Sequence, residues 1–172
     1  MDFFEKTPIP TLPTQIVLLG GTGDLARKKL LSALMDLFAS GTLPHHLHII
    51  AFSKDELTNE QYRSFVRDHV QKKDRPHDAV TIDAFLNTVE YVRGVFDDRD
   101  SFERIRAALE QYDASIGMCT SKLFYLAVPP AFYDTIFEQI AHTRLDLPCA
   151  EGEGWVRILV EKPFGSDLDH AH

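Results

Sequence analysis

A glycine-rich turn joins a short apolar run to a lysine-rich stretch near the start of the chain. Residues 20–26 read Gly-Gly-Thr-Gly-Asp-Leu-Ala and directly follow the apolar run 15–19. Gly20 and Gly23 allow positive φ and close backbone approach, and Ala26 keeps the next helix close to the strand. The free N–H groups of the first helical turn would face a pyrophosphate placed there. The spacing predicts a nucleotide site, and the competing interpretation is an ordinary strand-turn-helix junction.

The rest of the sequence predicts the elements that position this turn. Apolar runs alternate with amphipathic helical patterns, which indicates an α/β fold with a mainly parallel sheet. The predicted strands are 15–19, 47–53, 89–95, 122–128 and 155–161, and the predicted helices are 24–40, 58–73, 79–87, 101–112 and 130–143. Asp100 is the predicted N-cap of the fourth helix. We therefore expect a Rossmann-like, doubly wound domain over 15–172, with helices on both faces and an N-terminal arm at 1–14.

Composition narrows the class of protein. A net charge of −8 argues against a nucleic-acid surface, so phosphate binding would have to be local. No run is long and apolar enough to span a membrane, and no export signal is present, so we expect no membrane partner. The two cysteines lack metal spacing and are expected to be reduced, and no metal site is predicted. The histidines at 45, 46 and 48 are interpreted as solvent-exposed residues of a loop.

Three motifs together resemble those of glucose-6-phosphate dehydrogenase. They are GGTGDLARKKL from Gly20, LFYLAVPP from Leu123 and ILVEKPFG from Ile158, and they occur in the family's order. The resemblance spans residues 15–167 and implies the N-terminal, coenzyme-binding part of that enzyme. It carries the coenzyme onto a set of positions in this sequence: Gly20, Gly21, Thr22, Gly23, Asp24, Leu25, Ala26, Lys54, Tyr125, Pro129 and Lys162. For Tyr125, a core aromatic is an equally good interpretation.

The end of the second strand bears on the choice of coenzyme. An NAD enzyme places an acidic side chain there for the ribose 2′-hydroxyl, whereas an NADP enzyme needs cationic and hydroxyl groups for the 2′-phosphate. The strand ends Ser53-Lys54-Asp55, and the resembling family commonly has arginine where Lys54 stands. We expect Lys54 and Thr22 to recognise a 2′-phosphate. NADP is the expected coenzyme, and NAD stays open because Asp55 offers a ribose acceptor.

The resemblance also implies which lysines meet a sugar phosphate. Lys162 follows the last predicted strand, at the sheet edge where ligands of open α/β sheets bind, and Lys29 is the second substrate residue implied. Consecutive helical residues step about 100° around the axis, so Arg27, Lys28 and Lys29 cannot all face one ligand. Asp24, at the start of the helix, is interpreted as a structural cap of free N–H groups.

The family's RIDHYLGK segment, which carries the histidine base, does not occur in these residues. The expected reaction is NADP-linked oxidation of glucose 6-phosphate in the pentose phosphate pathway, by a cytoplasmic and homo-oligomeric complete enzyme. No catalytic residue is assigned here, so the chain alone is expected to be inactive, and a non-catalytic NADP-binding module is the alternative. A short-chain reductase is excluded because no tyrosine has a lysine four residues later. Apolar residues after Trp155 are expected to be partly uncovered.

Overall fold

A five-stranded, fully parallel sheet forms the centre of the molecule. The computed structural model describes residues 12–72, 77–150 and 152–161. The strands run in the order β3-β2-β1-β4-β5. Their bounds are β1 Thr14–Leu19, β2 Leu47–Ser53, β3 Val89–Arg93, β4 Ser121–Leu126 and β5 Val156–Val160. From β1, the strands that follow first are added on one side of the sheet (β2, β3) and the later ones on the other side (β4, β5). The first strand is therefore central, and its carboxyl end lies at the topological switch point of the sheet.

Helices cover both faces of this sheet. They are α1 Leu31–Ala39, α2 Asn59–Val70, α3 Ala79–Asn87, α4 Arg99–Ile116 and α5 Tyr133–His142, with a π-helical turn Ala26–Leu30 before α1 and a 3₁₀ turn Pro130–Phe132 before α5. Because successive strand residues face opposite sides, Ile16 and Leu18 pack with α1, α2 and α3, whereas Val17 and Leu19 pack with α4 and α5. The predicted doubly wound fold is confirmed.

Local capping sets where the helices begin. Thr58 and Gln61 form a reciprocal capping box at the start of α2. At the start of α4, the Asp98 carboxylate accepts from the backbone N–H groups of Asp100 and Ser101. The prediction that Asp100 caps this helix is wrong, because the chain becomes helical two residues earlier and Asp98 takes the capping position.

A row of buried polar side chains crosses the amino end of the sheet. The amide nitrogen of Gln15 lies 2.9 Å from Asp113 Oδ1, and its carbonyl oxygen lies 2.8 Å from His48 Nδ1. Lys122 is buried and donates from Nζ to Asp113 Oδ2 at 3.0 Å. The interpretation of His48 as a solvent-exposed loop residue is wrong: it lies within β2, is 7% exposed and stacks on Tyr112.

The two cysteines are also closer than their spacing in sequence indicates. A disulfide joins Cys119, before β4, to Cys149, after α5, with their Cα atoms 6.0 Å apart. The expectation of two separate reduced cysteines is therefore wrong for this structure. The chain after α5 returns to the amino edge of the sheet, and this tertiary closure brings the sulfur atoms together across a separation of 30 residues.

Strand β5 forms an uncovered edge of the described sheet. Ile158 is 40% exposed and Leu159 is 37% exposed, unlike the buried residues of β1 and β2. This agrees with the expectation of partly uncovered apolar residues after Trp155. Within the described ranges, no helix combines the length and apolar character needed to cross a bilayer.

We predict that Lys122→Ala lowers the free energy of unfolding by about 3 kcal/mol, because it leaves the mostly buried Asp113 carboxylate without its cation. Urea denaturation followed by circular dichroism measures this. Arg106→Ala is the control, since Arg106 is a half-exposed residue paired with Glu103 and should change stability by less than about 1 kcal/mol. Equal effects of the two variants would contradict a structural role for the buried pair.

Candidate functional site

The glycine turn after β1 is held against the ends of two neighbouring strands. The N–H groups of Gly20 and Gly21 both donate to the carbonyl of Phe52 in β2, at 2.9 and 3.0 Å. On the other side, the Ala127 N–H after β4 donates to the Leu19 carbonyl at 2.9 Å. Three strand ends therefore meet at one point on the carboxyl edge of the sheet, where open α/β sheets bind ligands.

Close approach explains why this turn needs glycine. Gly20 has a φ of 93°, and a Cβ on it would lie 2.7 Å from the Ala127 carbonyl oxygen. A Cβ on Gly21 would lie 2.7 Å from the Cβ of Ala51. Gly23 does not have a positive φ, so that part of the sequence argument is wrong; its hydrogen atom instead allows close approach, since a Cβ there would lie 3.1 Å from the Gly20 carbonyl oxygen.

The helix that follows presents backbone donors at the turn. Its helical conformation begins at Asp24, and by helix geometry the N–H groups of Asp24, Leu25 and Ala26 have no carbonyl partner within the helix. Ala26 is completely buried, as expected for a residue that packs the helix against the strand. These donors, together with the helix dipole, can bind a pyrophosphate.

Asp24 forms ion pairs and does not cap this helix. Its carboxylate pairs with the Arg27 guanidinium and lies 2.8 Å from Lys28 Nζ. A hydrogen bond from Lys28, and after it the positive charges of Lys28 and Arg27, lower the pKa of Asp24 below its usual value. Because these two cations neutralise its charge, the carboxylate opposes a neighbouring pyrophosphate less than a lone aspartate would.

At the end of β2, a hydrogen-bonded group of hydroxyls and a carboxylate lies apart from the Lys54 ammonium group. The Thr22 hydroxyl donates to the Asp55 carboxylate and lies 2.9 Å from Ser53 Oγ. Lys54 lines a separate cleft on the side of β3. Both expected residues therefore lie at this sheet edge, but they do not lie together. Thr22 is hydrogen-bonded to Ser53 and Asp55, whereas Lys54 lines the separate cleft.

Two stacked tyrosines donate hydrogen bonds to the backbone of the turn and of the segment after β2. Sequence reasoning missed both. The ring centroids of Tyr62 and Tyr91 lie 4.9 Å apart. The Tyr62 hydroxyl donates to the Gly21 carbonyl at 2.8 Å, and the Tyr91 hydroxyl donates to the Asp55 carbonyl at 2.6 Å. Burial raises the pKa of both, so each stays a neutral donor. The hydroxyl of a buried tyrosine usually finds a hydrogen-bond acceptor, and this is the one property from which the sequence could have indicated such a role.

The opposite side of the site is formed by the end of β4. The Tyr125 hydroxyl donates to the Glu161 carboxylate, and burial, followed by this hydrogen bond, raises the pKa of Tyr125 to about 12. Pro129 is exposed beyond the strand end, near the turn. Lys29 is exposed on the π-helical turn, whereas Lys162 lies outside the described residues.

A large cavity lies elsewhere, at the amino edge of the sheet. It has a volume of about 1140 Å³ and is lined by segments that include Arg106, Lys122 and Arg144. Arg106 and Lys122 are engaged by acidic side chains. The carboxyl edge has the glycine turn and the helix start, whose free N–H groups can bind phosphate, so it is the better candidate for the ligand site. Among the residues described, no cluster of acidic, histidine or cysteine side chains could hold a metal ion.

Comparisons with known proteins point to one enzyme family. The family model described as "Glucose-6-phosphate dehydrogenase, NAD binding domain" matches residues 17–172. Glucose-6-phosphate 1-dehydrogenase 5, cytoplasmic, from Arabidopsis thaliana is 35% identical over 99% of the chain and 34% of its own length. Glucose-6-phosphate 1-dehydrogenase 2 from Mycobacterium tuberculosis strain H37Rv is 36% identical over 97% of the chain and 32% of its own length.

A solved structure shares the fold of this chain. It is a glucose-6-phosphate dehydrogenase in complex with its substrate glucose 6-phosphate, with a TM-score of 0.81 and 30% sequence identity over 93% of this chain and 32% of its own. The chain spans about a third of the length of the relatives it matches.

We predict that Tyr62→Phe weakens dinucleotide binding at the turn, because it removes the donor that fixes the Gly21 carbonyl. Loss of this bond should cost about 1 to 2 kcal/mol in affinity and stability together. Calorimetric titration and thermal unfolding measure the two parts. Tyr112→Phe is the control, because it makes the same chemical change at the amino edge of the sheet. An equal loss of dinucleotide affinity in the Tyr112→Phe variant would refute a specific role for Tyr62.

Proposed function

This chain belongs to the glucose-6-phosphate dehydrogenase family, and we propose that it forms the NADP-binding part of an enzyme that oxidises glucose 6-phosphate to the 6-phosphogluconolactone. The observation that carries the proposal is the junction of three strand ends at Gly20 and Gly21. A Cβ at either position would collide with Ala127 or Ala51, so glycine is what allows the turn to pack against the ends of β4 and β2 and to place the start of the next helix at this edge.

The turn fits the pyrophosphate of a dinucleotide. The N–H groups of Asp24, Leu25 and Ala26 would bind its oxygen atoms, and Gly20, Gly21 and Gly23 allow the approach. Tyr125 and Pro129 flank the turn on the β4 side, where the coenzyme would continue towards its nicotinamide. When bound, NADP supplies the hydride acceptor.

Lys54 supports NADP as the coenzyme. It is exposed at the end of β2, the position from which dinucleotide enzymes read the adenosine ribose. An ammonium group there can form a charge-assisted hydrogen bond with a 2′-phosphate.

NAD is the second candidate, and Asp55 favours it. The carboxylate lies at the same strand end, bonded to the Thr22 hydroxyl, where it can accept from a ribose 2′-hydroxyl. It would also repel a 2′-phosphate. Lys54 and Asp55 therefore act in opposite directions, and the balance between them decides the preference.

The proposed substrate is a sugar phosphate, with Lys29 and Lys162 as the groups that bind it. Oxidation removes the hydrogen on C1 as a hydride, while a base takes the proton of the C1 hydroxyl. In the family this base is a histidine of the RIDHYLGK segment, which these 172 residues do not contain. The contribution of this chain is to orient the coenzyme and to hold the sugar beside it.

The remaining parts of the proposal concern the complete enzyme. A cytoplasmic location is supported by the name of the Arabidopsis relative. Assembly into a homo-oligomer stays a prediction from the family resemblance.

We predict that NADP binds about tenfold to a hundredfold more tightly than NAD, and that Lys54→Ala removes most of this preference. The reason is a charge-assisted bond worth about 1.5 to 3 kcal/mol. Calorimetric titration of both coenzymes measures it, with Lys72→Ala as the control for loss of one exposed lysine. Equal affinities in the wild-type chain would contradict the predicted preference and would show that Asp55 offsets Lys54, whereas tighter binding of NAD would make NAD the favoured coenzyme.

We also predict that residues 1–172, purified alone, bind coenzyme but oxidise no glucose 6-phosphate above background. The physical reason is the missing general base. Absorbance of NADPH measures turnover at saturating substrate. Saturable turnover that depends on both substrate and coenzyme would require another base within these residues.

A further inference from the structure

A cationic cleft lies beside the adenosine end of the proposed coenzyme site. It is bounded by the ends of β2 and β3 and by the start of α4, and its volume is about 420 Å³. Three of its lining side chains are cationic: Lys54, Arg93 and Arg104. The two arginines were not singled out by sequence reasoning, because they belong to different elements and have no motif spacing.

Arg104 is already oriented in this cleft. Its Nη2 donates to the Arg93 carbonyl at 3.1 Å and to Ser101 Oγ at 2.9 Å, and its Nε donates to the same carbonyl at 3.3 Å. No described residue accepts a hydrogen bond from Nη1. A guanidinium fixed in this way loses little conformational freedom when it binds an anion.

Arg93 can exchange its present partner for a ligand. Its Nη1 lies 3.1 Å from Glu56 Oε1, and the two side chains are 56% and 85% exposed. An ion pair this exposed contributes little to stability, whereas a phosphate monoester carries more charge and more acceptor atoms than a carboxylate.

The acidic groups nearby serve other contacts. Asp98 also lines the cleft, and its Oδ2 lies 3.9 Å from Arg104 Nη2, so it neutralises part of the positive charge there. The same carboxylate accepts from two backbone N–H groups at the start of α4 and from the Ser101 hydroxyl. The Asp55 carboxylate accepts from Thr22 on the ribose side. At the end of β2, Asp55 and Thr22 offer groups suited to ribose hydroxyls, whereas the cleft offers three cations beside one carboxylate, Asp98, and so a net positive charge suited to a phosphate.

We propose that Arg93 and Arg104 are specificity-determining residues that, with Lys54, bind the 2′-phosphate of the coenzyme, while Asp55 and Thr22 face the ribose. This inference rests on the proposed function, because it assumes that the adenosine half of a dinucleotide lies at the end of β2. It assigns the phosphate to the cleft and not to the Thr22 hydroxyl.

The test compares adenosine 2′,5′-bisphosphate with ADP in calorimetric titrations of the 172-residue chain. We expect Arg93→Gln and Arg104→Gln each to weaken the bisphosphate about tenfold and to leave ADP unchanged. Glu56→Gln should strengthen the bisphosphate, because it releases Arg93 from its competing carboxylate. Arg106→Gln, an exposed arginine further along α4, is the control and should change neither ligand.

The outcomes separate this inference from the proposed function. Preference for the bisphosphate that survives both arginine variants and does not respond to Glu56→Gln would overturn the role of the cleft and leave coenzyme binding intact. If inorganic phosphate alone binds the cleft as tightly as the bisphosphate, the cleft is a site for free phosphate and the assignment is also overturned. Failure of the wild-type chain to bind either nucleotide would instead remove the coenzyme-binding function on which the inference rests.

Discussion

The close contact of three strand ends at Gly20 and Gly21 is the constraint on which the rest of the site depends. The N–H groups of Gly20 and Gly21 both donate to the Phe52 carbonyl of β2, and the Ala127 N–H after β4 donates to the Leu19 carbonyl of β1. These bonds leave no room for a Cβ, and they fix where the next helix begins. The direction of its N–H groups, the position of the β2 end and the position of Tyr125 all follow from this junction. Tyr62 and Tyr91 hold it in place through hydrogen bonds to the Gly21 and Asp55 carbonyls.

Electrostatic balance at the site is local. The chain carries a net charge of −8, so its overall field repels an anionic coenzyme at long range. Binding must come from backbone donors at the helix start and from a few cations at short distance. The ion pairs of Asp24 with Arg27 and Lys28 remove the negative charge nearest to the turn. At the end of β2, Asp55 and Lys54 carry opposite charges, and in the proposed function the choice of coenzyme depends on the balance between them.

Sequence patterns predicted the elements that are repeated and local, and they missed contacts made by tertiary closure. The apolar runs of β1 and β2 and the glycine turn were correctly located because burial on both faces and tight turns each demand particular residue types. His48 was misjudged because its partners, Gln15 and Glu90, come from other strands. Arg93 and Arg104 form one wall only after β3 and α4 pack side by side. Lys162 lies outside the described residues, so its assigned role stays a prediction.

Hydrogen exchange with and without NADP tests the central claim most directly. If the glycine turn binds the coenzyme, the backbone amides of residues 22–26, 53–55 and 127–128 should exchange more slowly in the presence of NADP, because the bound phosphate and ribose shield them or accept hydrogen bonds from them. The amino edge, with the cavity lined by Arg106 and Arg144, should be unchanged. Slower exchange confined to that amino edge would contradict the account and would move the ligand site to the opposite end of the sheet.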